Sequence, residues 1–441
     1  MRATHHRLPR VVLFIVCWAL AATAGAQDFR GYTLKVKLID EGLLDQLYAT
    51  VIPAWEKRTG AKVKILAKNE IVRMVDDIKH DMQQRSVDFC LASNHTSFNA
   101  QFDNLYRDLN ELLPASYLVH FDPHVLSLSK VDGKLLQLPH YSDISQVFYN
   151  KALYASPGNQ SAYKARFHKV LAPPLSWAEY ARQARFFSHA PDLYGTLFPA
   201  KSEPLTGRFY EMLIAEGGQL LDKKWRPAFN SPAGLRALNF FVDLYRAGAV
   251  PENVSNMGWN DLGQGFASGH VALTLDWSGW ARYYNDPKTS RIAGQVGILR
   301  APKGAGGKRT GWSGSHTFSI TKSCDNPAAA ADFLMALTSL DAQLLEARQG
   351  KLVARTDAAA IALDEFRRSG DSYMVEVMGT FSAALAEDAF TPPLTPEWLA
   401  LSDALWPQLQ KAILGQISPR AALQQAQIDV QALMRDAGRL R

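Results

Sequence analysis

The chain is 441 residues long, more than one hydrophobic core usually spans, so two domains are expected. With 47% hydrophobic and 20% charged residues, the composition is that of an ordinary globular protein and excludes a disordered or low-complexity chain. The net charge of +6 falls to +3 when residues 1–26, which hold three Arg and no acid, are set aside; no block of five basic residues follows, which excludes a phosphate-tracking nucleic-acid surface.

Arg2, Arg7 and Arg10 precede an apolar run over 11–22, and Ala24-Gly25-Ala26 supplies small residues at a cleavage site. This pattern predicts a secretory signal peptide over 1–26, too short in its apolar part to be a membrane anchor. Cys17 lacks the small neighbours of a lipobox, so the expected product is a freely diffusing exported protein. No later segment has 18 uninterrupted apolar residues.

Residues 34–39 alternate as a strand, and Leu44, Leu47, Val51, Ala54 and Trp55 recur at helical spacing over 43–59. Gly60 ends that helix, and 63–66 resumes extended structure. A second helix follows from Ile71, Val75, Ile78 and Met82, then a short apolar strand over 87–92. This alternation predicts a mainly parallel sheet, with ligands beyond the carboxyl ends of its strands. Those ends are Asp40-Glu41 and Ser93-Asn94-His95-Thr96. Cys90, inside the apolar strand, is expected to be a buried free thiol, with a disulfide to Cys324 as the alternative. No Cys/His grouping has metal-ligand spacing.

At 132–151 a tight turn, Asp132-Gly133-Lys134, leads into two apolar halves interrupted by Pro139, His140, Tyr141, Ser142 and Asp143. A polar, aromatic insert of this kind marks a chain leaving one sheet for another, and clefts between lobes are where small-molecule sites preferentially lie. Residues 152–250 read as mostly helical, most clearly over 177–187, 209–216 and 234–247. An extended piece at 269–275 ends in a second polar-aromatic insert, Asp276-Trp277-Ser278-Gly279-Trp280. Strands are expected at 295–299 and 317–321, separated by a Gly/Lys loop and by Gly311-Trp312-Ser313-Gly314-Ser315-His316. Helices follow at 327–338 and 342–349, and the last hundred residues are predominantly helical.

The segments DGKLLQLP and VFYNKALY (within 132–154), PLSWAEY (174–180), FASGHVALTLDWSGW (266–280), AGQVGILRAPKG (293–304) and GWSGSHTFSITKSCDNPAAAADFLMALTS (311–339) occur in an order and spacing that resemble the sugar-type extracellular solute-binding proteins of ABC importers, the family that includes maltose-binding protein. The resemblance spans roughly residues 34–357. It implies an α/β, two-lobe periplasmic binding protein fold (type II) with an interdomain hinge that closes on ligand. Residues 27–140 and 302–338 would form the first lobe, 147–295 and 342–441 the second, with crossings near 141–146, 296–301 and 338–341.

Sugar sites need groups that exchange hydrogen bonds with hydroxyls and rings that cover apolar C–H faces. By the resemblance, Asn94, His95 and Trp312 of the first lobe, Tyr141 and Asp143 of the crossing, and Glu203, Arg208, Trp259, Asp276, Trp277, Trp280 and Arg355 of the second lobe would form the ligand site. Asp143, Glu203 and Asp276 would accept from hydroxyls, Arg208 and Arg355 would donate, and the tryptophans would stack. Each has a plainer role open to it: a solvated imidazole for His95, a turn cap for Asp276, a salt bridge for Glu203 or Arg355. Trp55, Trp177, Trp225, Trp398 and Trp406, on or beside helical segments, are expected in core or surface packing. Gln137 stands where the family usually has Gly, and the strand end Asn94-His95-Thr96 lacks the family's acid and base; the fold survives both departures, but they put a maltodextrin ligand in doubt and leave a smaller sugar, a disaccharide or a polyol open.

The expected partners are a small carbohydrate or polyol and an inner-membrane permease whose ATPase is another chain, since the sequence from Gly304 to Lys308 has the wrong spacing for a phosphate-binding loop. A monomer without cofactor or metal is expected. Two alternatives stand beside this: the same fold holding a sugar phosphate or glycerol-phosphate-type anion on Arg208 or Arg355, and a secreted glycoside hydrolase or lyase with a paired carboxylate site.

Overall fold

The computed structural model describes residues 28–40 and 45–440; the export signal expected over 1–26, and Glu41, lie outside the described residues. Two sheets organise the chain. The larger is built from β1 (Thr33–Ile39), β2 (Lys62–Asn69), β3 (Leu91–His95) and β4 (Leu138–Ile144). The smaller contains β5 (Gln146–Asn150), β6 (Leu273–Asp276) and β7 (Val296–Arg300), after which β8 (Gly311–Ile320), β9 (Leu352–Val353) and β10 (Ala389–Phe390) return to the larger. The larger sheet runs in the order β9-β4-β8-β3-β1-β2, with β10 beside β8; the smaller runs β6-β5-β7.

The first βαβ unit is parallel, as its alternation of elements predicts, with β1 between β2 and β3. Beyond β3 the sheet turns antiparallel through β8, β4 and β9, so it is mixed where a mainly parallel sheet was expected. Leu352–Val353, in the part of the chain expected in the second lobe, is hydrogen-bonded to β4 of this larger sheet.

Three local differences matter for the site. The strand expected at 87–92 begins at Leu91 and runs to His95, because Val36 and Lys37 of β1 pair with Leu91 and Ala92. Asn94 and His95 are therefore within the strand. The stretch 139–143 is not a break between strands but the body of β4, and the passage between sheets is confined to Ser145. The Gly/Ser-rich stretch 311–316 is strand as well, since β10 supplies ladder partners for Gly311 and Trp312, β4 for 313–316 and β3 for His316.

Helices begin where capping chemistry allows. Ser176 accepts from the Glu179 N–H ahead of Trp177–Phe187, and Ser231 accepts from Gly234 ahead of Pro232–Arg246. Beyond β4 the chain is largely helical outside its strands: Ser202–Ala215, Pro232–Arg246, Trp398–Ile413 and Pro419–Asp436 pack together, while Trp259–Ala267 and Ser372–Glu387 lie near the smaller sheet. Phe148, Leu262, Phe266, Tyr284 and Phe381 form a separate apolar core there. Trp55, Trp177 and Trp398 are core residues.

Cys90 and Cys324 form a disulfide, with Cα atoms 4.4 Å apart, which overturns the expectation of a free thiol. Cys90 immediately precedes β3, and Cys324 follows β8 by four residues. The bond therefore staples the ends of the two paired strands that lie opposite His95 and His316.

Candidate functional site

Antiparallel pairing sets His316 of β8 directly opposite His95 of β3 on one side and Tyr141 of β4 on the other; Gly314 lies opposite Asp143. Because side chains alternate across a strand, Tyr141 with Asp143, and Gly314 with His316, project to one face. These residues and His95 form one wall of a cleft of about 370 Å³, within the range of small-molecule sites. The Tyr141 and His316 rings stack at 4.4 Å, and His95 meets His316 edge to face at 5.1 Å. A Cβ on Gly314 would come within 2.1 Å of the His95 ring, so glycine here leaves the room that imidazole occupies.

The opposite wall is aromatic. Trp259 opens its helix, Trp277 follows β6, and the two rings meet edge to face at 5.0 Å. Trp312, at the start of β8, lies 5.9 Å from Trp259 and 5.8 Å from Trp277, in both cases nearly perpendicular. Its indole rests on Gly207, where a Cβ would fall 1.0 Å from Cζ3. Trp280 lines the cleft and stacks on Tyr284 at 6.0 Å.

Asp143 is the best-placed acceptor. Ser278 Oγ donates to Oδ1 at 2.5 Å, and His316 Nε2 lies 3.5 Å from Oδ2. Burial works to raise this carboxyl, but the His316 hydrogen bond and charge, the Ser278 hydroxyl and His95 together hold it below the usual carboxylate value. Burial, with the nearby His316 charge, pushes His95 down to about 3, against the pull of Asp143. His95 Nδ1 accepts from the Ser97 N–H, so the neutral ring carries its proton on Nε2. Glu203 also lines the cleft; burial pushes its carboxyl up to about 7, against the Trp398 indole N–H at 3.0 Å and the Arg208 charge.

Of the residues expected at the site, His95, Tyr141, Asp143, Glu203, Trp259, Trp277, Trp280 and Trp312 line this one cleft. Four do not. Asn94, next to His95 on the strand and so directed to the other face, uses Oδ1 on the His95 N–H. Asp276 is fully buried, caps its turn through the Trp277 N–H at 2.8 Å, accepts from Tyr284 Oη, and is pushed up to about 7 by burial. Arg208 is spent on Glu211 at 2.7 Å and on the Leu275 carbonyl at 2.9 Å. Arg355 pairs with Asp357 at 2.7 Å and lies beside Tyr117 and Phe121.

The lining also includes residues the sequence did not single out: His316, Ser97 and Phe98, and Glu70, Arg73 and Asp76 at the start of the helix after β2. At the mouth, Asn260 Nδ2, on the helix that Trp259 opens, reaches Glu70 Oε1, at the start of the helix after β2, at 3.4 Å. His140, one residue before Tyr141, faces away from the cleft onto Glu346 at 2.9 Å, which also receives Lys351 at 3.1 Å. Although burial opposes it, His140 and Lys351 together hold Glu346 down at about 2, while burial lowers the His140 imidazole toward its neutral form, so the Glu346–Lys351 ion pair underlies the polar wall.

The family model for the bacterial extracellular solute-binding protein matches residues 41–344. A probable ABC transporter-binding protein of Deinococcus radiodurans is 25% identical over 67% of this chain and 69% of its own length. A mannitol-binding protein of Pseudomonas aeruginosa is 27% identical over 74% of this chain and 76% of its own. Among solved structures, maltose-bound T. maritima MalE3 superposes with a TM-score of 0.79 at 22% identity, covering 91% of this chain and 100% of that one. An ABC transporter solute-binding protein of Agrobacterium vitis S4 with bound D-mannitol superposes with a TM-score of 0.78 at 22% identity, covering 92% and 99%.

Proposed function

Since the chain belongs to the bacterial extracellular solute-binding protein family, we propose that it is the periplasmic binding component of an ABC importer and carries a small neutral carbohydrate or polyol. The observation that carries this reading is the pairing of two unlike walls across one cleft. Asp143, His95 and His316 face it with polar atoms, while Trp259, Trp277 and Trp312 face it with rings. Vicinal hydroxyls suit the first wall and C–H faces the second.

The occupant is a monosaccharide, a disaccharide or a linear polyol, in keeping with a cleft of about 370 Å³. The names of relatives point the same way, because mannitol is what the Pseudomonas aeruginosa protein is named for binding. Ionised Asp143 and the Glu203 carboxyl accept from ligand hydroxyls; neutral His95 donates through Nε2. A sugar phosphate fits less well. Arg208 and Arg355, the cations that would hold it, are committed to Glu211 and Asp357, and the remaining cleft cations, Arg73 and Lys201, share the lining with Glu70, Asp76, Asp143 and Glu203.

Transport function follows from burial of the ligand between lobes that rotate about Ser145 and the connection after β7. The lobes comprise 27–140 with 302–338 and 147–295 with 342–441, except that β4 runs on to Ile144 and that Leu352–Val353 and Ala389–Phe390 join the larger sheet. Ligand that touches both walls shifts the population toward the closed form, which an inner-membrane permease engages; the ATPase is a separate chain, the binding protein acts as a monomer, and no cofactor takes part. The ligand leaves unchanged.

The test is a thermal-shift series on residues 27–441 with D-mannitol, ribitol, D-tagatose, maltose and glycerol 3-phosphate, followed by recovery of the ligand. A rise in Tm with one neutral ligand, recovered intact, is expected. A rise only with the phosphate ester overturns the neutral-solute reading, and a recovered cleavage product overturns the transport reading.

A further inference from the structure

Glu211 lies on the helix Ser202–Ala215, outside the cleft lining, and is 1% exposed. A carboxylate so placed is stable only when its oxygens are filled by donors. Here the donors come from two distant features. Oε1 accepts from the Ser145 hydroxyl and from the Trp312 N–H at 3.0 Å. Ser145 is the single residue between the two sheets, and its N–H in turn donates to the Trp312 carbonyl at 3.0 Å. Oε2 accepts from Arg208 Nη1 at 2.7 Å.

Arg208 continues the chain. Its Nη2 donates to the Leu275 carbonyl at 2.9 Å, one residue before the end of β6. Its guanidinium lies 4.9 Å from the Trp259 ring centre and 4.8 Å from that of Trp277, a distance at which a desolvated cation is held by the aromatic quadrupole. The two rings are 71° apart, so one planar cation lies against two steeply inclined rings that both line the cleft.

We propose that Glu211 is a positioning residue that couples the hinge to the tryptophan wall: Ser145 and the Trp312 backbone hold one carboxylate oxygen, Arg208 the other, and Arg208 sets the angle between Trp259 and Trp277. Rotation at Ser145 then reshapes the aromatic wall as the lobes close. The proposal rests on the reading of the protein as a closing binding protein, and it adds that the aromatic geometry is a function of hinge angle and not a fixed property of the second lobe. A lysine at 208 keeps the charge but loses the planar fork, and a glutamine at 211 keeps an acceptor for the hinge while placing an amide against Arg208.

The experiment needs no ligand. Indole N–H resonances are recorded for ¹⁵N-labelled chain in the wild type, Ser145→Ala, Glu211→Gln and the double variant. Trp259 is the reporter, because it lies on a helix apart from the hinge strands. Ser145→Ala is expected to shift the Trp259 indole resonance in the wild-type background and to leave it in place in the Glu211→Gln background. A folded Ser145→Ala protein with an unmoved Trp259 resonance, or an equal shift in both backgrounds, overturns the proposal.

Should Ser145→Ala not fold, Arg208→Lys reads the same coupling in reverse: the Trp312 backbone amide is expected to shift, and less so when Glu211 is glutamine, whereas an unmoved or equally shifted amide overturns the proposal. In a second arm, Glu211→Gln is expected to lower Tm, because it leaves the buried Arg208 without its carboxylate, and, measured well below that lowered Tm, to weaken D-mannitol binding about 10-fold; unchanged affinity of the folded variant opposes the proposal. If the wild type binds no mannitol, the carbohydrate reading is what suffers, and the resonance arm still decides the coupling.

Discussion

The two walls of the cleft are built on different principles. The polar wall is a row across three hydrogen-bonded strands, so the positions of His95, His316 and Tyr141 are set by backbone ladders and by a disulfide at the far end of two of those strands. The aromatic wall is laddered only at Trp312, which lies on β8: Trp259 begins a helix, Trp277 follows a strand, and a buried guanidinium against both rings holds their angle. Rigid strands suit hydroxyl recognition, which depends on hydrogen-bond direction. Rings covering C–H surface tolerate small changes of angle, so this wall can follow the hinge.

The strongest way to break the contrast is to remove the staple. Closing a chain segment of 234 residues is expected to stabilise the fold by about 2–5 kcal/mol, mostly through the unfolded state. Cys90→Ser with Cys324→Ser, or reduction of the wild type, should lower Tm and weaken ligand binding through the His95–His316 row. Calorimetry with and without dithiothreitol measures the first effect; an unchanged Tm would show that the ladder alone holds the polar wall.

Next in size are two substitutions that strike one wall each. Asp143→Asn removes a charge-assisted acceptor, a loss of about 1.5–3 kcal/mol, or roughly 10- to 100-fold in affinity. Gly207→Ala touches no ligand, but its methyl would occupy the space of the Trp312 ring, so it should weaken binding about as much as Trp312→Ala does. Titration calorimetry with the ligand identified by thermal shift compares the three. If Gly207→Ala binds normally, Trp312 is not held where the aromatic wall requires it.

How much of this was legible in the sequence follows from the same contrast. The aromatic wall was found because Trp277, Trp280 and Trp312 stand in Gly/Ser-rich stretches, and the family resemblance ordered them in space. His316 was missed because 311–316 was read as a loop. The alternation Trp312-x-Gly314-x-His316 is the period-two signal of a strand face, and all three residues line the cleft. Arg208 and Arg355 were read as ligand donors although each has an acid within three residues, Glu211 and Asp357, that now holds it; short spacing of opposite charges was the available warning. The Cys90–Cys324 pairing joins residues 234 apart, and nothing local encodes such a contact.

A smaller effect separates the walls by pH. Burial raises the Glu203 carboxyl from 4.5 to about 7. Between these values the folded protein keeps a proton that the unfolded chain has lost, so this group's contribution falls as pH rises through the window and is constant above it. The ceiling is about 3 kcal/mol. Glu203→Gln, whose amide oxygen still accepts from Trp398, should therefore be more stable than the wild type at pH 8 and nearly equal to it at pH 4.5. Thermal melts at the two values test this, and a difference that does not change with pH would place Glu203 in a solvated setting.

The smallest effect is expected where the walls meet at the mouth. The Asn260–Glu70 contact is long, at 3.4 Å, and exposed; such polar contacts contribute about 0–1 kcal/mol against competing water. Glu70→Ala should change ligand affinity by less than about 5-fold, with most of the change in the dissociation rate, because the contact forms only when the lobes are together. Stopped-flow tryptophan fluorescence separates the two rates. A much larger loss would mean that closure depends on the rim and not on the ligand bridging the two walls, and the division of labour between polar and aromatic surfaces would then be secondary to the latch.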